Sequence, residues 1–177
     1  MSSFAAALER FHEFYVRLQC DGYEVDEANL EAAWKHIASQ SERQLGAFTL
    51  VYMLEHKKPP PVLRQSDVEF RNAVIHKGRV PTRERAIEFG ERVVQIIMSI
   101  LTPLRANAED VVRHAASLHV RKLHDLARAQ NPNVAFMSAA TLVDLARASS
   151  EPQPTLREWI TTLERRPRLC EKPSGKQ

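Results

Sequence analysis

Glycine is scarce in this chain, at 5 of 177 residues, cysteine occurs only twice, and aromatic residues amount to 7%. So little glycine excludes a collagen repeat and leaves no glycine-rich loop to cradle a nucleotide phosphate. The Gly-x-Ser-x-Gly turn of serine hydrolases is missing too. Cys20 and Cys170 stand far apart and fit no metal-ligand spacing, which suits free thiols in a reducing compartment better than a disulfide framework. Long apolar runs are also lacking. Leu50-Val51-Tyr52-Met53-Leu54 and the stretch 93–101 fall short of the roughly 18 residues that cross a bilayer, and Met1-Ser2-Ser3-Phe4 shows no basic n-region. These absences predict a cytoplasmic chain with no membrane partner.

The apolar residues that are present, 44% of the chain beside 27% charged, suffice for the core of one soluble domain of ordinary size. They recur at three- and four-residue spacing almost throughout, and no alternating run of strand type appears, so the predicted fold is all-α, without an internal repeat. A first helix is expected over 3–20, stopped by Asp21-Gly22, and a second after the cap Asp26, burying Leu30, Trp34 and Ile37. Ser41 with Gln44 reads as a capping box before a helix that ends near His56. Ser66 with Glu69 reads as another, opening a short helix over about 67–77 that Gly78 stops. Between them Lys57-Lys58-Pro59-Pro60-Pro61 is a loop. Pro81-Thr82 opens a long helix with the core stripe Ala86, Phe89, Val93, Ile96, Ile97, Ile100 and Leu104. Further helices are expected over 108–129, 137–148 and 156–165, the last with a capping box in Thr155 and Glu158, and residues from Pro167 onward read as disordered.

The net charge of +3 is unevenly spread. Seven acids face only Arg10 and Arg17 in residues 1–31, whereas residues 57–92 carry nine Lys or Arg against five acids. The tail adds Arg165, Arg166, Arg168, Lys172 and Lys176 against Glu171 alone. A polyanion would choose the middle and the end of the chain, although most such runs are simply solvated surface.

Within that basic middle, Arg71-Asn72-Ala73-Val74-Ile75-His76 offers a permanent cation, an amide and a titratable imidazole close together, a set suited to phosphodiester chemistry without a metal. Spacing alone is weak support, because arginine is abundant and there are seven histidines; Arg113 and His119 repeat the pattern loosely. The longer run Phe70-Arg71-Asn72-Ala73-Val74-Ile75-His76-Lys77-Gly78-Arg79-Val80-Pro81-Thr82 resembles the signature of HEPN domains, an Arg followed directly by a polar residue and a few positions later by a His. The resemblance covers roughly residues 1–105 and is specific only from Phe70 to Thr82. It implies an all-α bundle, usually a homodimer and often a metal-independent endoribonuclease of toxin–antitoxin or anti-phage systems, although some members do not cleave. Arg71 and His76 match the catalytic pair, and Asn72 the polar position. The chain then divides into a HEPN-like domain over 1–105, a helical extension over 106–166 packed on it, and a basic tail over 167–177. No cofactor is implied.

Helix geometry gives a separate reason to expect a shared site. At about 100° per residue, Asn72 and His76 lie only ~40° apart, whereas Arg71 and His76 diverge by ~140°. A two-fold dimer could set the Arg of one subunit beside the His of the other. His76 would then take the proton of an RNA 2′-OH, Arg71 would stabilise charge on the phosphate, and Asn72 would orient one of them. Lys77, Arg79, Arg83 and Arg85 are RNA-binding candidates. A cognate antitoxin or second defence subunit is the other partner that such a setting brings.

Plainer readings stand beside these. Arg71 could pair with Glu69 or another acid while His76 caps its helix, leaving a catalytically silent HEPN-like module that dimerises or binds a partner protein or RNA through residues 108–165. Apolar side chains would then remain exposed on the Leu142, Leu145, Trp159 and Leu163 faces. His114, His119 and His124 scatter around their helix with no acid at ligand spacing, so no metal is expected. Arg113, Arg121, Lys122 and Arg128 fit a solvated face, and Trp34 and Trp159 sit in apolar stripes.

Overall fold

Six helices and no strand occupy the described residues, 1–131 and 154–165, of a computed structural model: α1 (Ser2–Gly22), α2 (Glu27–Trp34), α3 (Ser41–His56), α4 (Gln65–Ile75), α5 (Arg83–Gln130) and α6 (Leu156–Glu164). The fold is all-α, as the spacing of apolar residues requires. None of these helices is long and apolar enough to cross a membrane.

Helix α1 buries Ala5, Leu8, Phe11, His12, Tyr15, Val16 and Leu18 along one side. Against it lies α3, joined by packed rings. His12 stacks on Phe48 with centroids 4.3 Å apart, Tyr15 meets Phe48 edge-on at 5.3 Å, and Tyr15 Oη lies 3.0 Å from His56 Nε2. Burial lowers the His12 pKa to about 4, which keeps that imidazole neutral, and raises the Tyr15 hydroxyl above the ordinary tyrosine range. At the head of α2, Asp26 accepts from the Asn29 backbone N–H at 3.1 Å, the expected cap. Trp34 is buried at the far end with the Arg17 guanidinium 5.4 Å from its ring centroid.

Helix α5 is the spine. Phe89, Val93, Ile96, Ile97, Ile100 and Leu101 join the core from its first half, and Phe70 of α4 packs on Phe89 at 6.0 Å. Pro103 removes one N–H from the ladder, and the helix breaks at Ala108 (φ −150°, ψ 49°), where the sequence placed the start of a separate helix. Beyond the break Val112 is fully buried and Lys122 reaches Glu27 (3.1 Å) and Glu31 (2.8 Å). Lys122, together with Arg17, holds the Glu31 pKa down to about 2. At Gly90 a Cβ would stand 2.6 Å from Leu156 and 2.7 Å from Phe4, so glycine is what lets α6 and the start of α1 close on α5. Arg157 then fastens α6 to Glu84 and Glu91, each at 2.7 Å.

Two expected caps are absent. Helix α3 starts from Gln40, with Ser41 already inside it, and the Gln44 amide donates instead to the Ala38 carbonyl at 2.8 Å. Helix α4 starts from Arg64, two residues before the expected cap, and Glu69 accepts from Gln65 at 3.2 Å rather than reaching back to Ser66. In both cases an extended residue upstream already turns the chain into the helix, so the serine is not at its boundary. The capping box of Thr155 and Glu158 does form. The expected helix over 137–148, with Leu142 and Leu145, and the tail from Pro167 lie outside the described residues.

Candidate active site

The last turns of α4 carry the three residues singled out by the sequence, and the helix ends at Ile75 rather than Lys77, leaving His76 as its cap. The turn after it is closed by the Arg79 N–H on the Ala73 carbonyl at 3.0 Å, with Gly78 in the left-handed region at φ +65°. The site therefore sits where a helix gives way to a tight turn. The His76 N–H donates to the Asn72 carbonyl at 2.9 Å, and its ring is exposed.

Arg71 points toward the start of α3. Its Nη2 donates to Ser41 Oγ at 3.2 Å and stands 3.9 Å from Glu42 Oε1, with the Arg71 side chain only 16% exposed. The Glu69 pairing is not formed. Glu42 is held below the usual carboxylate range, first by a backbone hydrogen bond at its own position, then by the Ser41 hydroxyl and by the positive charges of Arg71 and His76. Arg71 and Glu42 thus meet within a single chain. Arg71 Nε and Asn72 Oδ1 are buried and have no hydrogen-bond partner.

Around this point the four candidate RNA contacts divide. Lys77 and Arg79 are exposed and form no ion pair with a described residue. Arg83 is paired with Glu164 of α6, and Arg85 with Glu88 while its guanidinium covers the Phe70 ring at 5.1 Å. Arg92 grips the buried Asp67 at 2.9 Å and ties α4 to α5. Nothing local in the sequence marks Ser41, Glu42 or Arg92 here, because each lies 25 or more residues from its partner.

Among the described residues no group of three or more His, Cys, Asp or Glu is placed to hold a metal. His114 and His119 are exposed, and His124 lies 3.3 Å from Asp125. Arg113 is paired with Glu109 at 2.9 Å, Trp159 is half-buried, and Leu163 is 52% exposed. No protein-family model matches the chain, and neither does a curated protein or a solved structure.

Proposed function

We propose that this chain is a metal-independent endoribonuclease that cuts RNA by 2′-OH transesterification, using Arg71, Asn72 and His76. The observation that carries this reading is at the end of α4: Arg71 Nε and Asn72 Oδ1 are buried without partners a few residues before the exposed His76. Glu42 supplies the negative charge that a phosphodiester would supply. A neutral His76 takes the 2′-OH proton, the 2′ oxygen bonds to phosphorus, and the bond from phosphorus to the 5′ oxygen breaks. A proton from a general acid completes a free 5′-OH, and the other end is a 2′,3′-cyclic phosphate. Arg71 stabilises the charge gathering on the non-bridging oxygens. DNA, without a 2′-OH, is not a substrate.

Lys77 and Arg79 are free to hold the RNA backbone, whereas Arg83 and Arg85 would first have to leave their carboxylates. A homodimer with a toxin–antitoxin or anti-phage role, held in check by an antitoxin or second subunit, belongs to this reading and rests on the HEPN resemblance. A second reading, a catalytically silent binding module, is favoured by the Arg71 contact with Ser41, which also serves as a plain tie between helices.

Incubation of total RNA and tRNA with the purified protein in EDTA separates them. Wild type should leave cyclic-phosphate ends, and His76→Ala and Arg71→Ala should each slow cleavage by about 100-fold or more while remaining folded. Intact RNA with wild type, or undiminished cleavage by either variant, overturns the ribonuclease reading.

A further inference from the structure

A small pocket opens between α1, the end of α2 and the start of α3. It encloses about 180 Å³, less than the roughly 300 Å³ at which pockets for drug-sized ligands begin, and suits a single ring system. Ala6, Trp34 and Ala38 give it apolar walls. Its polar groups are mostly acceptors. Glu9 lines it half-buried and forms no hydrogen bond or ion pair with a described residue. Gln44 donates its amide N–H to the Ala38 carbonyl at 2.8 Å, which leaves Oε1 as an acceptor. Glu13 is matched by Arg10 at 2.8 Å and Arg17 at 3.0 Å, so among the residues lining the pocket Glu9 is the carboxylate whose charge is unanswered.

We propose that this pocket takes a guanine base and sets the position at which RNA is cut, an assignment that rests on the ribonuclease reading. Unpaired RNA offers its bases to such cavities, and side chains read them along the Watson–Crick edge. A carboxylate presents acceptors and no donor. Guanine differs from the other bases in carrying two adjacent donors on that edge, N1–H and N2–H, and one carboxylate of Glu9 accepts both as a fork. Adenine and cytosine set a ring-nitrogen lone pair beside the amino group, which Glu9 repels, and uracil flanks its N3–H with two carbonyls. Arg10, on the same helix, is the donor available to guanine O6. The place suits the chemistry. Gln44 lies three residues, about 4.5 Å of rise, beyond Ser41, whose hydroxyl accepts from Arg71 Nη2. One ribose separates a base from its own phosphate, so the two ends of the first turn of α3 receive base and phosphate together.

The test is fluorescence anisotropy of the full chain with all-2′-deoxy hexamers, which resist cleavage and differ only in one central base, beside mapping of the cut sites in total RNA. Wild type should bind the guanine hexamer about fivefold or more tighter than the adenine, cytosine or thymine one, and should cut next to guanine. Glu9→Gln puts a donor where one acceptor stood, which matches adenine, so this variant should lose the guanine preference and move toward adenine with its helical circular dichroism unchanged. A side chain that only held the fold would not exchange one base for another. Ala6→Leu, which fills the pocket from its wall, should weaken the guanine hexamer and leave the other three as they were. Equal binding of the four hexamers by wild type, a guanine preference that survives Glu9→Gln, or cuts placed without regard to guanine overturns the proposal. Guanine-selective binding with no cleavage would uphold the guanine pocket while overturning the ribonuclease reading, so the two failures are told apart.

Discussion

The ring-packed seam between α1 and α3 and the end of α4 both abut α3, yet they treat buried polar groups in opposite ways. In the seam Tyr15 Oη has His56 Nε2 at 3.0 Å, and His12 stays neutral against Phe48. At the end of α4, Arg71 Nε and Asn72 Oδ1 are buried without partners. An unpaired buried polar atom costs roughly 1–3 kcal/mol. The first region is arranged for stability, and the second keeps hydrogen-bonding capacity that folding does not use.

Substitution in each region should therefore act on different properties. Phe48 is fully buried in the seam, so Phe48→Ala should lower unfolding free energy by about 3–5 kcal/mol in urea titration, whereas Asn72→Leu should change it by less than about 1 kcal/mol because it removes an unpaired acceptor. Comparable losses from the two would break the comparison. Acid sharpens it further. The unfolded His12 takes up a proton near its ordinary pKa of 6.5, but the folded side chain resists until about pH 4. Its contribution is complete above pH 6.5, declines as pH falls through that window, and is fully lost below about 4, amounting to roughly 3 kcal/mol at about 1.4 per unit. Replacing His12 by Phe should flatten that part of the stability profile; an unchanged slope would show that His12 does not drive it.

The apolar faces of α1 and α5, the Asp26 and Thr155 caps, the turn at Gly78 and the break near Ala108 were legible in the sequence because each is a local matter of spacing or backbone preference. The Ser41 and Ser66 caps were misread because a serine followed three residues later by Gln or Glu also fits inside a first turn. At the site, local pattern selected Arg71, Asn72 and His76 but could not say which acid stands beside Arg71, and Glu69, two residues away, is not the one. Arg71's observed contacts, Ser41 and Glu42, come from a helix thirty residues earlier, and only the packing of α4 against the start of α3 brings them in. Arg83 looked available for the same reason, since its partner Glu164 is supplied by α6.

Glu42 is the point at which these two regions differ most finely, since it belongs to α3 yet faces Arg71 of α4. Its side chain is 80% exposed and 3.9 Å from Arg71, so the pair adds little to stability. What it does add is a negative charge beside Arg71, where an incoming phosphate is repelled and must compete for the guanidinium. Glu42→Gln removes that charge and retains the side-chain size. It should leave the melting temperature unmoved and tighten RNA binding by about two- to fivefold, most at low salt, where exposed charges are least screened. Fluorescence anisotropy with a labelled RNA carrying 2′-deoxy linkages reads binding without cleavage. Unchanged or weaker binding with the same melting temperature would mean that Glu42 does not contend with phosphate, and a lowered melting temperature would place it among the contacts that hold α3 to α4.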